Sequence, residues 1–165
     1  DEDDRVVAGG VLNKEKSTIL LATKKGFIIR FSANDLRRMG RSAMGVIGIK
    51  LSKNDEVVGM IIVSDEEGSV LTVTKKGFGK RTPVSMYRIQ RRGGRGLKNI
   101  SSVDKAGEVV GIEFVKGDEE LIVLTKNGMS VRIPVSDIGV VGRITKGVKL
   151  IELVDDEIAQ MAVVS

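Results

Sequence analysis

The 165-residue sequence contains no cysteine and no histidine. The first absence excludes a disulfide framework and thiolate chemistry. The second removes the usual general base and the commonest nitrogen ligand for metals. No Ser-His-Asp or Cys-His arrangement can be drawn, and no zinc spacing exists. Tryptophan is also missing and aromatics make up only 3%, too few for a base-stacking platform for single strands. No apolar run approaches the ~20 residues that span a bilayer. No charged-then-apolar leader opens the chain, so the cytoplasm is the expected compartment. The chain has no initiator Met and reads as a segment of something longer or as a processed product. Two prolines against 20 glycines suit tight turns between strands better than an extended linker. There is no G-x-x-x-x-G-K-[ST] and hence no P-loop. The glycines at 93–96 do not form G-x-G-x-x-G and open no helical pattern. No catalytic site and no cofactor are read.

What is present is positive charge in one place. From Gly68 to Val103 there is no Asp or Glu. That run carries Lys75, Lys76, Lys80, Arg81, Arg88, Arg91, Arg92, Arg95 and Lys98. The chain has 27 basic and 22 acidic residues, so outside this run 18 basic face 22 acidic. The net +5 is a local feature in a weakly acidic frame. Such a segment suggests a polyanion, most commonly nucleic acid. By contrast, the acidic start DEDD lacks the spacing of a calcium loop and reads as a solvated terminus.

The sequence repeats with a fixed register. Thr23, Thr74 and Thr125 lie 51 apart, as do Gly26, Gly77 and Gly128, Arg30, Arg81 and Arg132, and Arg41, Arg92 and Arg143. Each unit opens with two β-rich runs around a Lys-Lys-Gly or Lys-Asn-Gly turn, a hairpin signal. A Gly- and Arg-rich stretch follows. A short apolar run then closes the unit, at 57–63, 109–115 and 158–164. A fourth such run, 5–12, precedes the first hairpin. A strand-rich period near 50 points to a propeller or solenoid. The expected fold is all-β, with one closing strand over 5–12 and blade-like units over 13–63, 64–115 and 116–165. Four closing runs for three hairpins predict an open arc with an unpaired strand that attracts a partner, so isolated chains are expected to pair end to end. Gly26, Gly77 and Gly128 are expected at positive φ in the turns. Leu36, Tyr87 and Ile138 share an apolar column, which assigns Tyr87 to packing. The Arg30 column carries either a shared surface function or a shared structural ion pair.

Within the basic run, Gln90–Gly96 reads QRRGGRG. Arg91, Arg92 and Arg95 stand around Gly93 and Gly94, a pattern in which glycine admits a phosphate to the backbone amides and Arg supplies bidentate contacts. No helix-turn-helix or zinc module is present to read base edges. Duplex binding through the backbone, governed by shape, is the reading that remains. The expected contact residues are Gln90, Arg91, Arg92, Gly93, Gly94, Arg95, Gly96, Lys98, Arg41, Arg143, Lys75, Lys76, Lys80 and Arg81.

QRRGGRG also resembles the heptapeptide box of the DNA gyrase A C-terminal domain family. TKKGFGKRTPVSMY, TKNGMSVRIPVSDI and VGRITKGVKLI are similar to blade sequences of that family and of its topoisomerase IV relative. The resemblance covers nearly the whole chain. It implies a β-pinwheel, a propeller-like ring, usually of six blades, that exchange strands with their neighbours. It further implies wrapping of duplex DNA around a basic rim, in support of ATP-driven negative supercoiling by a holoenzyme that joins the B subunit to the rest of the A subunit. Cleavage and ATP hydrolysis would lie elsewhere in that enzyme. In repeat order the chain resembles the final half of such a domain, with the box displaced from the first blade. The residues alone also allow a stand-alone DNA-bending protein or a protein-interaction scaffold.

Overall fold

The computed structural model describes residues 6–7, 10–11, 17–38, 48–64 and 66–165. Three units are built in the same way. Each begins with an antiparallel hairpin: β3 (Thr18–Thr23) with β4 (Phe27–Ser32), β6 (Ser69–Thr74) with β7 (Phe78–Pro83), and β11 (Glu120–Thr125) with β12 (Ser130–Pro134). The turns follow from their sequence. Gly26, Gly77 and Gly128 have φ of 93°, 91° and 91°. Their amides donate to Thr23, Thr74 and Thr125 O at 3.1 Å in each case. The same threonine hydroxyls accept the amides of Phe27, Phe78 and Met129. A β-carbon on Gly128 would meet nothing within 4 Å. Gly128→Ala should therefore cost only the left-handed strain of an alanine, about 1 kcal/mol, read as a lowered urea midpoint with an unchanged m-value.

Each closing strand returns to the first strand of its own hairpin: β5 (Val57–Val63) to β3, β10 (Val109–Val115) to β6, and β14 (Ile158–Val164) to β11. The three closing strands line one shared cleft of about 360 Å³, which marks the inner side of the arc. The sheets are completed from the neighbouring unit. The second unit sends β8 (Ile89–Gln90) and β9 (Leu97–Lys98) across to β4 of the first. The third sends β13 (Val148–Lys149) to β7 of the second, with a further bridge between Arg81 and Val140. From the cleft outward the first sheet runs β5-β3-β4-β8 and the second β10-β6-β7-β13. The Gly- and Arg-rich segments are thus the outermost layer of their neighbours' sheets.

Two core clusters lie between units, while Ile19, Leu21, Ile29 and Phe31 form one within the first. Leu20, Ile28 and Ile61 of the first unit pack with Val70, Val84, Tyr87 and Ile112 of the second. Leu71, Val73 and Val115 of the second pack with Leu121, Val123, Val135 and Ile138 of the third. Tyr87 is buried as expected, and its hydroxyl donates to Asn99 Oδ1 at 2.7 Å. Burial pushes its phenol pKa up. Ile138 shares this position, whereas the side chain of Leu36 lies outside the described residues.

Two expectations need correction. Of the closing strand expected over 5–12, residues 6–7 and 10–11 are described: β1 (Val6–Val7) pairs antiparallel with β2 (Gly10–Val11) rather than continuing into it, and the rest of the run lies outside the described residues. The apolar run resembles a closing strand, but the pair Gly9-Gly10 within it is a turn signal. The position left short of a strand is, among the described residues, the outer edge of β12: β4 and β7 receive β8 and β13 from the next unit, and β12 has no such partner in the sheet β12-β11-β14.

Candidate nucleic-acid interface

The basic loop of the second unit runs from β8 to β9 along the outer edge of the first sheet. Backbone bonds hold it there. Gly93 N donates to Gly48 O at 2.8 Å, and Lys50 N donates to Gly94 O at 2.7 Å. Gly96 has φ 79°, and a β-carbon on it would lie 2.5 Å from Ile28 O. Gly93 and Gly96 therefore serve the docking of the loop, and the Gly93 amide is not free for a phosphate as the spacing suggested. The side chains face away. Arg91, Arg95 and Lys98 are exposed and Arg92 is half-buried. None of these four cationic groups makes a hydrogen bond or ion pair with a described residue. Arg88, at the entrance to β8, is exposed and equally free. Arg95 overhangs a cavity of about 260 Å³ bordered by Phe27, Lys50, Leu51 and Asp55. Gln90 is half-buried, and its Oε1 is enclosed without a hydrogen-bond partner among the described residues.

The other cations on the expected list behave differently. Lys80 is 1% exposed and cannot reach a duplex at the rim. Its Nζ donates to Asn99 O at 2.5 Å, Thr145 O at 3.2 Å and Arg143 O, with Gly142 O at 3.5 Å. Its column is otherwise Ile29 and Val131, so Lys80 occupies an apolar position of the repeat. Charge counting along the sequence cannot separate such a lysine from surface ones. Lys75 pairs with Glu108 at 3.1 Å, repeating the pairs Lys24–Glu56 and Lys126–Glu157. Lys76 donates to Asp104 O, Arg81 Nε to Ile138 O at 2.7 Å, and Arg143 Nη1 to Lys98 O at 2.5 Å. Arg41 lies outside the described residues. Free guanidinium groups thus separate the heptapeptide from its surroundings more sharply than charge density does.

Arg30 is 4% exposed. Its guanidinium reaches Thr18 Oγ1 at 2.8 Å, Tyr87 O at 3.1 Å, Val84 O at 3.3 Å and Glu66 Oε1 at 2.5 Å. Arg81 makes the matching contact one unit on, to Ile138 O. Arg132, on the open edge, pairs among the described residues only with Glu120. The arginine column is a link from each unit to the next.

Burial pulls the Lys80 pKa down to about 8, and the charge of Arg143 adds to this. An unfolded lysine titrates near ~10.4. Between these values the unfolded chain binds the extra proton, so the Lys80 contribution makes stability rise with pH across that window. Below pH 8 both states are protonated and the burial cost is fully felt. The urea midpoint should therefore rise between pH 7.5 and 9.5 in the wild type relative to Lys80→Met, which lacks the titrating group. A parallel response in the two proteins would contradict the assignment.

The DNA gyrase C-terminal domain model, a beta-propeller, matches residues 17–64, 68–116 and 119–165. The chain belongs to this family. The three matched stretches coincide with the three hairpin-to-closing-strand units. The DNA gyrase A subunit of Thermotoga maritima is 64% identical over 82% of the chain and 17% of that protein. The corresponding gyrase protein of Kosmotoga olearia is 49% identical over 99% of the chain and 20% of its own length. The chain therefore spans about a fifth of these gyrase proteins. Among solved structures, the C-terminal domain of DNA topoisomerase IV superposes with a TM-score of 0.75 at 26% identity, covering 91% of this chain and 48% of that one. The E. coli ParC C-terminal domain gives a TM-score of 0.68 at 19% identity, covering 93% and 63%, a likeness of fold. The three all-β units thus carry the fold of the gyrase C-terminal domain family, at about half the length of the topoisomerase IV domain.

Proposed function

We propose that this gyrase-family chain binds double-stranded DNA along its outer rim and wraps it. The observation that carries the reading is the loop Gln90–Gly96. It is docked by backbone bonds on the outermost strand of a neighbouring sheet, and its three guanidinium groups have no partner among the described residues. Cations held on a rigid edge with their charge unspent are suited to successive phosphates. The contacts read no bases, so affinity comes from counterion release and the choice of site from duplex shape. The working set is Arg91, Arg92, Arg95 and Lys98, with Arg88 beside them. Lys76, Arg81 and Arg143 take part only after releasing their backbone acceptors. Curvature of the arc then sets the path of the duplex, because loops of successive units follow one another around the same outer layer.

In the larger enzyme this wrap would present a crossed DNA segment to the breakage and reunion machinery. It would thereby support ATP-driven negative supercoiling, in concert with the B subunit plus the rest of the A subunit. The test is topological. Relaxed circular DNA is incubated with the chain, relaxed again with a type I topoisomerase and deproteinised. A linking-number shift that grows with protein concentration is the expected result. Bound DNA with no shift would mean binding without wrapping.

A further inference from the structure

We propose that Lys80 is a positioning residue. It locks the rim loop of the third unit, residues 141–147, onto that of the second, so that both loops meet one duplex at a fixed spacing. The inference rests on the duplex-binding reading above. The repeat supplies the comparison. The second unit's loop is fixed to the first by two backbone bonds, Gly93 N to Gly48 O at 2.8 Å and Lys50 N to Gly94 O at 2.7 Å. Beneath it lies Ile29, whose Cδ1 would stand 3.7 Å from a β-carbon on Gly94. One repeat on, the counterpart of the second bond is Ser101 N to Thr145 O, lengthened to 3.3 Å. The counterpart of Gly48 O is Asn99 O, and its donor is the Lys80 ammonium rather than a loop amide. That ammonium also holds Arg143 O and Thr145 O and approaches Gly142 O. One buried cation thus replaces a backbone bond and gathers carbonyls from both loops. Arg143 closes the same junction from the solvent side through Lys98 O.

Two loops on one rigid frame bind a long duplex together, and the second contact is made at high effective concentration only if their spacing is held. Loosening the junction should therefore spare binding that uses one loop and weaken binding that uses two. The experiment compares the wild-type chain with Lys80→Met on duplexes of one helical turn, ~10 base pairs, and of three turns, ~30 base pairs. For Lys80→Met the short-duplex Kd should stay within about twofold while the long-duplex Kd rises about tenfold. Equal loss on both lengths, or no loss on either, would overturn the proposal. If Lys80→Met shows no cooperative urea transition, Arg143→Leu is the second variant, compared with Lys146→Leu. The latter removes one charge from the same loop, and with it a contact to the Phe78 ring, but leaves the carbonyls gathered by Lys80 and the Arg143 bond to Lys98 O in place. A larger long-to-short difference in Arg143→Leu supports the proposal, and equal differences overturn it. Failure of the wild-type chain to bind duplex of either length would instead sink the functional reading.

Discussion

Changing Arg91, Arg92 and Arg95 together to alanine should weaken duplex binding about a hundredfold at 0.15 M salt. Each phosphate contact contributes about 0.9 to the slope of log K against log salt, so three lost contacts flatten it by about 2.7. At 0.15 M the same counterion term is worth about two decades in K. The fold should survive. The three side chains have no partner among the described residues, and exposed residues outside packed networks change stability by about 0.5 kcal/mol or less. In the holoenzyme, supercoiling should fall while ATP-independent relaxation persists, since relaxation needs cleavage but no wrap. Arg143→Ala is the control from the same loop of the next unit. Its guanidinium is already spent on Lys98 O. The comparison is made on a duplex of one helical turn, where the junction between loops does not count; if this single change costs as much affinity there as the triple change, the rim acts as a whole and the heptapeptide has no special part.

The arginine column gives the second large effect, this time on stability. Arg30→Ala should cost about 3–4 kcal/mol. It leaves Tyr87 O without a donor inside the contact between units and removes the partner of Thr18 Oγ1, while Val84 O keeps the Tyr87 amide. Glu66 is 60% exposed and is rescued by water, which keeps the loss from being larger. Arg81→Ala should cost about 1–2 kcal/mol, for one good bond to Ile138 O. Arg132→Ala should cost less than about 1 kcal/mol, because its pair with Glu120 is solvated. Urea titrations of the three variants read the series directly. Equal losses would mean that the column works within each unit rather than between units.

That graded column shows what the sequence could and could not supply. The 51-residue register placed the turns and the burial of Tyr87, and the short apolar runs placed the closing strands of all three units, because those depend on local chemistry: positive φ at glycine, apolar composition, and length. It left open whether the arginine column was functional or structural. The answer depends on what stands opposite, and for Arg30 this is a segment more than fifty residues away. The transfer of β8, β9 and β13 to neighbouring sheets has no local signature, and only the family resemblance implied it. Lys80 was misplaced for a related reason. Its neighbours in sequence are basic and its neighbours in space are carbonyl oxygens. Lys75 lies in the acid-free run, but its partner Glu108 stands 33 residues on, beyond the end of that run, which hid the pairing. The apolar run at 5–12 misled because composition marks a strand without marking which edge it joins.

The measurement closest to the central claim is the salt dependence of duplex binding by the whole chain, followed on several duplexes of unrelated sequence and equal length. Log K should fall linearly with log salt, with a slope near −0.9 for each phosphate engaged. The line should be the same for every sequence of similar flexibility. A flat response, or affinity that follows base sequence while ignoring salt, would contradict duplex binding through the cations of the rim.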